Sequence, residues 1–345
     1  MPWFGTAPIQ HSINLALQGG GAHGAFTWGV LDALLEDGRL RFDGVSGTSA
    51  GAMNAVLLAQ GLMEGGRAGA RAALARFWTT VAASMPEHFT QELPEGQGVG
   101  LAPMLKLMLH WTHYLAPEQL NPLDLNPLRD ILEAQVDFAR LRRESPLRLF
   151  IAATRANSGQ LRLFRREELS CEALLASACL PSVHRAIEID GEPYWDGAYA
   201  ANPAVFPLFF DCEARDILLV LLTPLQHPAT PVGAAAIQQR ALEIAFSATF
   251  LREMRLFAHL REQLPRRWPG WSLGPLERRA LRTHFHLIEA ADVLGELRAD
   301  SKLAANLKFF DMLKALGRER AQAWLARHRG ALGQRSSFDL AGLFG

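Results

Sequence analysis

The chain has 345 residues, 49% of them apolar and 20% charged, a balance that excludes disordered and fibrous proteins. Lys+Arg and Asp+Glu stand at 35 each. With no basic excess to hold a phosphate backbone, nucleic acid is excluded as the main partner.

From the N-terminus, Met1-Pro2-Trp3-Phe4-Gly5 lacks the basic-then-apolar order of a signal peptide. Ile13 to Leu17 is a short apolar run ending in glycines, as a buried strand does. Phe26, Val30, Leu31, Leu34 and Leu35 then share one helical face, and Gly38 is placed to stop that helix. A second strand, Phe42 to Val45, leads into Gly47-Thr48-Ser49-Ala50-Gly51 and an alanine-rich helix from Ala52 to about Gln60. This alternation predicts an α/β fold with a mainly parallel sheet covered by helices.

Residues 65 to 143 read as mostly helical, broken by a Pro- and Gly-rich loop around Pro94 to Pro103. Further strands are expected at Leu147–Ala153, Gln160–Phe164, Ile217–Leu222 and His284–Ile288, with helices dominating Ala234–Leu264 and Lys302–His328. Pro265 to Pro275, with Trp268 and Trp271, reads as a loop. No linker separates autonomous domains, so residues 1–345 are expected to form one domain: a core of about 13–225 and a helical extension of about 230–345 packed on it. Three cysteines, Cys171, Cys179 and Cys212, match no zinc or redox spacing. They fit a reduced compartment. No apolar run reaches the roughly 18 residues of a spanning helix. The expectation is a soluble, cytoplasmic protein able to touch a membrane surface.

Two turns carry chemistry. Gly19-Gly20-Gly21-Ala22-His23-Gly24 follows a strand and opens a helix, where backbone N–H groups gather negative charge. It fits either a dinucleotide pyrophosphate, with Asp43 at about the right distance for a ribose, or an oxyanion hole. Gly47-Thr48-Ser49-Ala50-Gly51 is a G-x-S-x-G between strand and helix, the context in which that motif presents a nucleophilic serine. The helix starting at Ala50 adds N–H groups aimed at an oxyanion. If the first two strands are neighbours, both turns open at one sheet edge. A base is then needed. His184, His227, His284 and His286 lack a turn signature. Asp196, in Tyr194-Trp195-Asp196-Gly197-Ala198, has one, and desolvation by its aromatic neighbours would raise its pKa toward a useful value.

These three motifs, in this order and spacing, resemble the patatin-like phospholipase family. Ala173 to Pro181 resembles that family's A-S-x-x-x-P segment, and Asn202-Pro203 after the aspartate fits as well. The resemblance covers residues 13 to 225; more loosely, the C-terminal helices with Gly317 and Trp324 are similar to those of bacterial members. It implies a three-layer α/β/α fold and a Ser49–Asp196 dyad without catalytic histidine. The implied oxyanion hole comes from Gly19, Gly20 and Gly21, joined by Ala50, with no metal or organic cofactor. The implied activity is lipid acyl hydrolysis of the phospholipase A or lysophospholipase type. Alternatives are an esterase or thioesterase on soluble acyl substrates, a dinucleotide binder, or a catalytically silent membrane-surface protein.

The family often has Lys or Arg where His23 stands. His23 itself reads as a solvent-facing histidine at a helix start. Its functional alternative is a modulator of the oxyanion loop, with a pH dependence near neutrality. His284 and His286 share one face of a strand as two metal ligands would, without a recognisable third. Leu101 to Leu115, with Met104, Leu105, Met108, Leu109, Trp111 and Tyr114, reads as core first and as a substrate-access lid second. Leu251, Met254, Phe257 and Leu260 read as a buried helix face backed by Arg252, Arg255 and Arg261. That pattern needs no lipid, and an anionic-surface contact through Arg266 and Arg267 is the alternative reading.

Overall fold

The computed structural model describes residues 11–93, 98–111, 115–227, 229–264 and 273–345. Its strands are β1 (His11–Leu17), β2 (Leu40–Thr48), β3 (Thr90–Glu92), β4 (Val99–Leu101), β5 (Arg148–Arg155), β6 (Leu161–Arg165), β7 (Ile187–Ile189), β8 (Glu192–Asp196), β9 (Asp216–Val220) and β10 (His284–Ile288). The helices begin with α1 (Gly24–Asp37), α2 (Ala50–Ser84), α3 (Pro103–Trp111), α4 (Pro117–Leu120), α5 (Pro127–Gln135), α6 (Phe138–Glu144) and α7 (Cys171–Ser177). They continue with α8 (Phe206–Asp211), α9 (Ala234–Gln263), α10 (Pro275–Arg282), α11 (Ala291–Leu294), α12 (Leu307–His328) and α13 (Leu340–Phe344).

The main sheet runs β10-β9-β1-β2-β5-β8-β7, with β6 also paired to β5. From β10 to β5 all pairs are parallel; β6 and β8 run antiparallel to β5, and β7 antiparallel to β8. Strand alternation divides the core. Ile13, Leu15, Leu17, Leu218 and Val220 belong to the cluster built with α1, α2, α5, α7 and α12. Ala16, Ile217 and Leu219 belong to the opposite one, with Phe209, Phe250, Met254, Phe257 and Phe344 from α8, α9 and α13. Two helical layers thus enclose a mainly parallel sheet, a three-layer α/β/α architecture. Gly38, at φ 78°, ends α1.

The structure departs from the sequence expectations in several places. The helix after Ser49 is far longer than Ala52–Gln60 and bends at Gly65 and Gly66, whose φ/ψ are non-helical. A short β3–β4 hairpin lies within the stretch that reads as mostly helical. Its connecting residues 94–97 fall outside the described residues, as do most of the 265–275 loop with Trp268 and Trp271, Arg266 and Arg267, and residues 1–5 and 112–114 of the segments singled out above. The β7–β8 hairpin has no counterpart among the expected strands: Asp196 ends a strand rather than occupying a free turn. Residues beyond 225 add β10 to the sheet and lay α12 along α1.

Candidate active site

Because β1 pairs with β2 in parallel, the turns that follow them open at the same end of the sheet. Ser49 is the sole residue between β2 and α2, and it sits at φ 52°, ψ −121°. A non-glycine residue held there stores about 1–3 kcal/mol of strain, so its surroundings must fix it. The Ser49 N–H donates to Ser177 Oγ at 2.9 Å. Ala52 and Met53 N–H donate to the Ser49 carbonyl. Thr48 Oγ1 donates to the Ala201 carbonyl at 2.8 Å. A Cβ on Gly51 would lie 2.2 Å from the Leu17 carbonyl oxygen, so the last glycine of the motif is required by the close approach of β1.

The placement of Asp196 follows from β5. Ala152 pairs with Thr48 of β2 and with Leu163 of β6; Ala153 pairs with Arg162 of β6 and with Asp196 of β8. A strand has two edges, so β2 and β8 share one, and β8 fills the edge that β2 vacates at Ser49. The end of one strand therefore meets the end of the other, which puts the carboxylate beside the serine across 147 residues of chain. The Asp196 backbone is fixed by its N–H donating to the Cys179 carbonyl (2.8 Å) and its carbonyl accepting from Thr154 Oγ1 (2.8 Å).

Asp196 is 2% exposed. Burial pushes its pKa from 3.8 up to about 7, against opposing hydrogen bonds from the Ala198 N–H and the Ser49 hydroxyl. The Ala198 N–H donates to Oδ1 at 2.8 Å.

The glycine loop lies against the serine turn: a Cβ on Gly19 would be 2.9 Å from Ser49 Cβ. The Gly19 N–H, however, is already donated to Asn202 Oδ1 at 2.7 Å. This corrects its place in the expected oxyanion hole, since it holds the loop rather than offering a donor. The N–H groups of Gly20, Gly21 and Ala50 donate to no acceptor among the described residues. All three residues, with Ser49 and Asp196, line a cavity of about 620 Å³. Its walls are largely apolar, from Met53, Phe77, Trp78, Leu180, Leu242 and Phe246.

His23 is not solvent-facing. It is 1% exposed, its Nε2 lies 2.7 Å from Ser301 Oγ, and burial with the nearby Lys302 charge lowers its pKa to about 3. Burial thus moves its titration away from neutrality and favours the neutral ring. Asp43 accepts from the Glu213 and Ala214 N–H groups and faces Arg148, near the other end of β2 from Ser49, so it does not stand at the glycine loop as a ribose partner. His184 lines the cavity, with its pKa lowered mainly by burial. His227 faces Glu243, and His286 is buried with Nε2 2.9 Å from Asp216 Oδ1. Among the described residues no histidine is hydrogen-bonded to Ser49 or Asp196, no group of three or more metal-ligating side chains occurs, and no helix is long and apolar enough to cross a membrane. The notable residues that motif spacing alone does not assign are Ser177 and Asn202. Both lie in segments quoted for the family resemblance, but their hydrogen bonds to the two turns are visible only in three dimensions.

Residues 15–209, more than half of the chain, match the Patatin-like phospholipase family. No curated protein matches the sequence. Among solved structures the chain is similar to VipD from Legionella pneumophila, at 15% identity over 94% of this chain and 68% of that one, with a TM-score of 0.43. It is also similar to the heterodimeric complex ExoU–SpcU from the type III secretion system of Pseudomonas aeruginosa, at 16% identity over 98% of this chain and 75% of that one, with a TM-score of 0.27. On the match over residues 15–209, the chain belongs to the patatin-like phospholipase family.

Proposed function

We propose that this hydrolase is a serine lipid acyl hydrolase of the phospholipase A or lysophospholipase type, working through a Ser49–Asp196 dyad. The observation that carries the reading is the buried Asp196 carboxylate meeting a strained Ser49 in the wall of an apolar cavity. Asp196 accepts the Ser49 proton as the hydroxyl oxygen attacks the ester carbonyl. The Gly20, Gly21 and Ala50 N–H groups bind the developing oxyanion, each donor typically contributing about 3 kcal/mol. Collapse releases the alcohol, which takes the proton from Asp196 and leaves the acyl group on Ser49 Oγ. Water, deprotonated by Asp196, then releases the fatty acid and restores the serine. An aspartate suits this role only when desolvated, because an ordinary carboxyl of pKa about 3.9 is too weak a base at neutral pH.

The substrate class follows from the walls. Apolar side chains extend from Ser49 to the rim, where Leu242 is 50% exposed and Tyr199 and Leu303 are also exposed. Such a rim suits an acyl chain drawn from a lipid surface, touched peripherally. Fluorophosphonate labelling of the wild type, Ser49→Ala and Asp196→Asn tests the reading. Labelling lost in both variants, with turnover of lipid vesicles exceeding that of a monomeric ester, is expected. Full activity in Asp196→Asn with a dead His184→Ala would replace the dyad by a conventional histidine base. A preference for the monomeric ester would favour a soluble-substrate esterase.

A further inference from the structure

The segment 299–303 lies beyond the family match yet reaches the glycine loop. Ser301 Oγ is fully buried; it donates to the Arg298 carbonyl at 2.6 Å and lies 2.7 Å from His23 Nε2. Since the single hydroxyl proton goes to Arg298, the contact with His23 requires Nε2–H to donate and Oγ to accept. The neutral Nε2–H tautomer is thereby fixed, and Nδ1 is left buried without a partner among the described residues. The ring is held on another side by Phe309, edge-to-face at 6.0 Å.

The same segment touches the loop a second time. Gly21 has φ 57°, and a Cβ built on it would lie 2.2 Å from the Lys302 carbonyl oxygen. Between these contacts, the His23 N–H donates to the Gly20 carbonyl at 3.2 Å and closes the loop into a turn. Residues 20 to 23 are thus pinned on their C-terminal side by 301–302, as Asn202 pins Gly19 on the other.

We propose that Ser301, acting through His23, is a positioning residue for the oxyanion hole: it fixes the direction of the Gly20 and Gly21 N–H groups toward Ser49. His23 transfers no proton in this role, because among the described residues its second nitrogen has no acceptor to support a charged ring. The proposal rests on the dyad reading for its catalytic consequence and on geometry alone for the clasp.

The test uses full-length Ser301→Ala, Ser301→Thr and His23→Gln. Gln can keep a side-chain N–H near the position of Nε2, and Thr keeps the hydroxyl. Two readouts are taken: amide hydrogen exchange of the Gly19–Gly24 segment, and turnover with fluorophosphonate labelling rate. In Ser301→Ala we expect faster exchange of that segment, a roughly 10- to 100-fold loss of kcat at little-changed KM, as for loss of part of an oxyanion hole, and a parallel fall in labelling rate. Ser301→Thr and His23→Gln should recover most of both. Unchanged exchange in Ser301→Ala would overturn the clasp. Faster exchange with undiminished kcat and labelling would overturn the positioning role. An inactive, unlabelled wild type would instead refute the hydrolase reading, while exchange still decides the clasp.

Discussion

Replacing Asp196 by Asn should remove activity and stabilise the protein, by an amount set by pH. The Asn carbonyl oxygen can still accept from the Ala198 N–H, so the change is chiefly one of charge. In the folded protein the carboxyl titrates at about 7 rather than 3.8, and each tenfold rise in proton affinity corresponds to about 1.4 kcal/mol. Below about pH 4 both folded and unfolded chains hold the proton, and the group contributes nothing. Between about pH 4 and 7 the unfolded chain releases it while the folded chain keeps it, so wild-type stability falls as pH rises. Above about pH 7 both are ionised and a constant cost of about 4 kcal/mol remains. Asp196→Asn escapes that cost. For a chain of this size the gain corresponds to about 5–6 °C in melting temperature at pH 8, shrinking to nothing near pH 4. Thermal unfolding of both proteins from pH 4 to 8.5 measures it; other titrating groups are common to both and cancel. Wild-type turnover should rise with pH through about 7, as the base ionises. A melting-temperature gap that does not change with pH, or a variant less stable at pH 8, would refute the claim that Asp196 is held desolvated.

Ser177→Ala should leave the Ser49 N–H without its acceptor, lowering stability by about 1–3 kcal/mol and kcat by about tenfold; thermal melts and single-substrate kinetics read both. Leu242→Asp, at the exposed rim, should reduce hydrolysis of vesicle lipid several-fold while turnover of a short soluble ester stays within about twofold. Equal losses on both substrates would argue against a lipid-facing rim. Glu253, half-buried on α9 with its pKa raised by desolvation to about 7, accepts from the Val205 N–H and that of Phe206. Glu253→Gln should therefore stabilise the protein above about pH 7, with no gain below about pH 4.5 and activity unchanged, as pH-dependent melts would show.

The two glycine-bearing turns of the candidate site are legible in the sequence because each is a local device. Gly19–Gly24 and Gly47–Gly51 declare themselves by small residues at fixed spacing after an apolar run, and strands such as β9 by an uninterrupted buried stretch. What escapes a sequence reading depends on distant partners. The β7–β8 hairpin is short, carries Pro193, and gains its pairing from β5 rather than from its own pattern. Gly19 looks like any other glycine of its loop until Asn202, 183 residues away, claims its N–H. His23 deceives for a related reason. A polar residue at a helix start is ordinarily wet, and only the arrival of Ser301 and Phe309 buries it. Gly65 and Gly66 hide the continuation of α2, since a glycine pair reads as a stop although the chain resumes its helix after the bend.

The proposed Ser49–Asp196 dyad places a demand on the fold that a triad relaxes. A histidine can span the gap between serine and carboxylate, but a lone aspartate must be delivered to the nucleophile by the backbone itself. The sheet does this through β5, whose successive residues Ala152 and Ala153 receive Thr48 and Asp196 on one edge. Small side chains make the meeting close: a Cβ on Gly197 would lie 2.2 Å from the Ala152 carbonyl oxygen. The same crowding excludes water from the carboxyl and raises its proton affinity. Position and basicity therefore have a common cause. A substitution that opens this junction, such as Thr154→Ala with loss of its bond to the Asp196 carbonyl, should weaken both together. The pH profile should then shift toward acid as kcat falls. A fall in kcat with the profile unmoved would separate the two and count against that common origin.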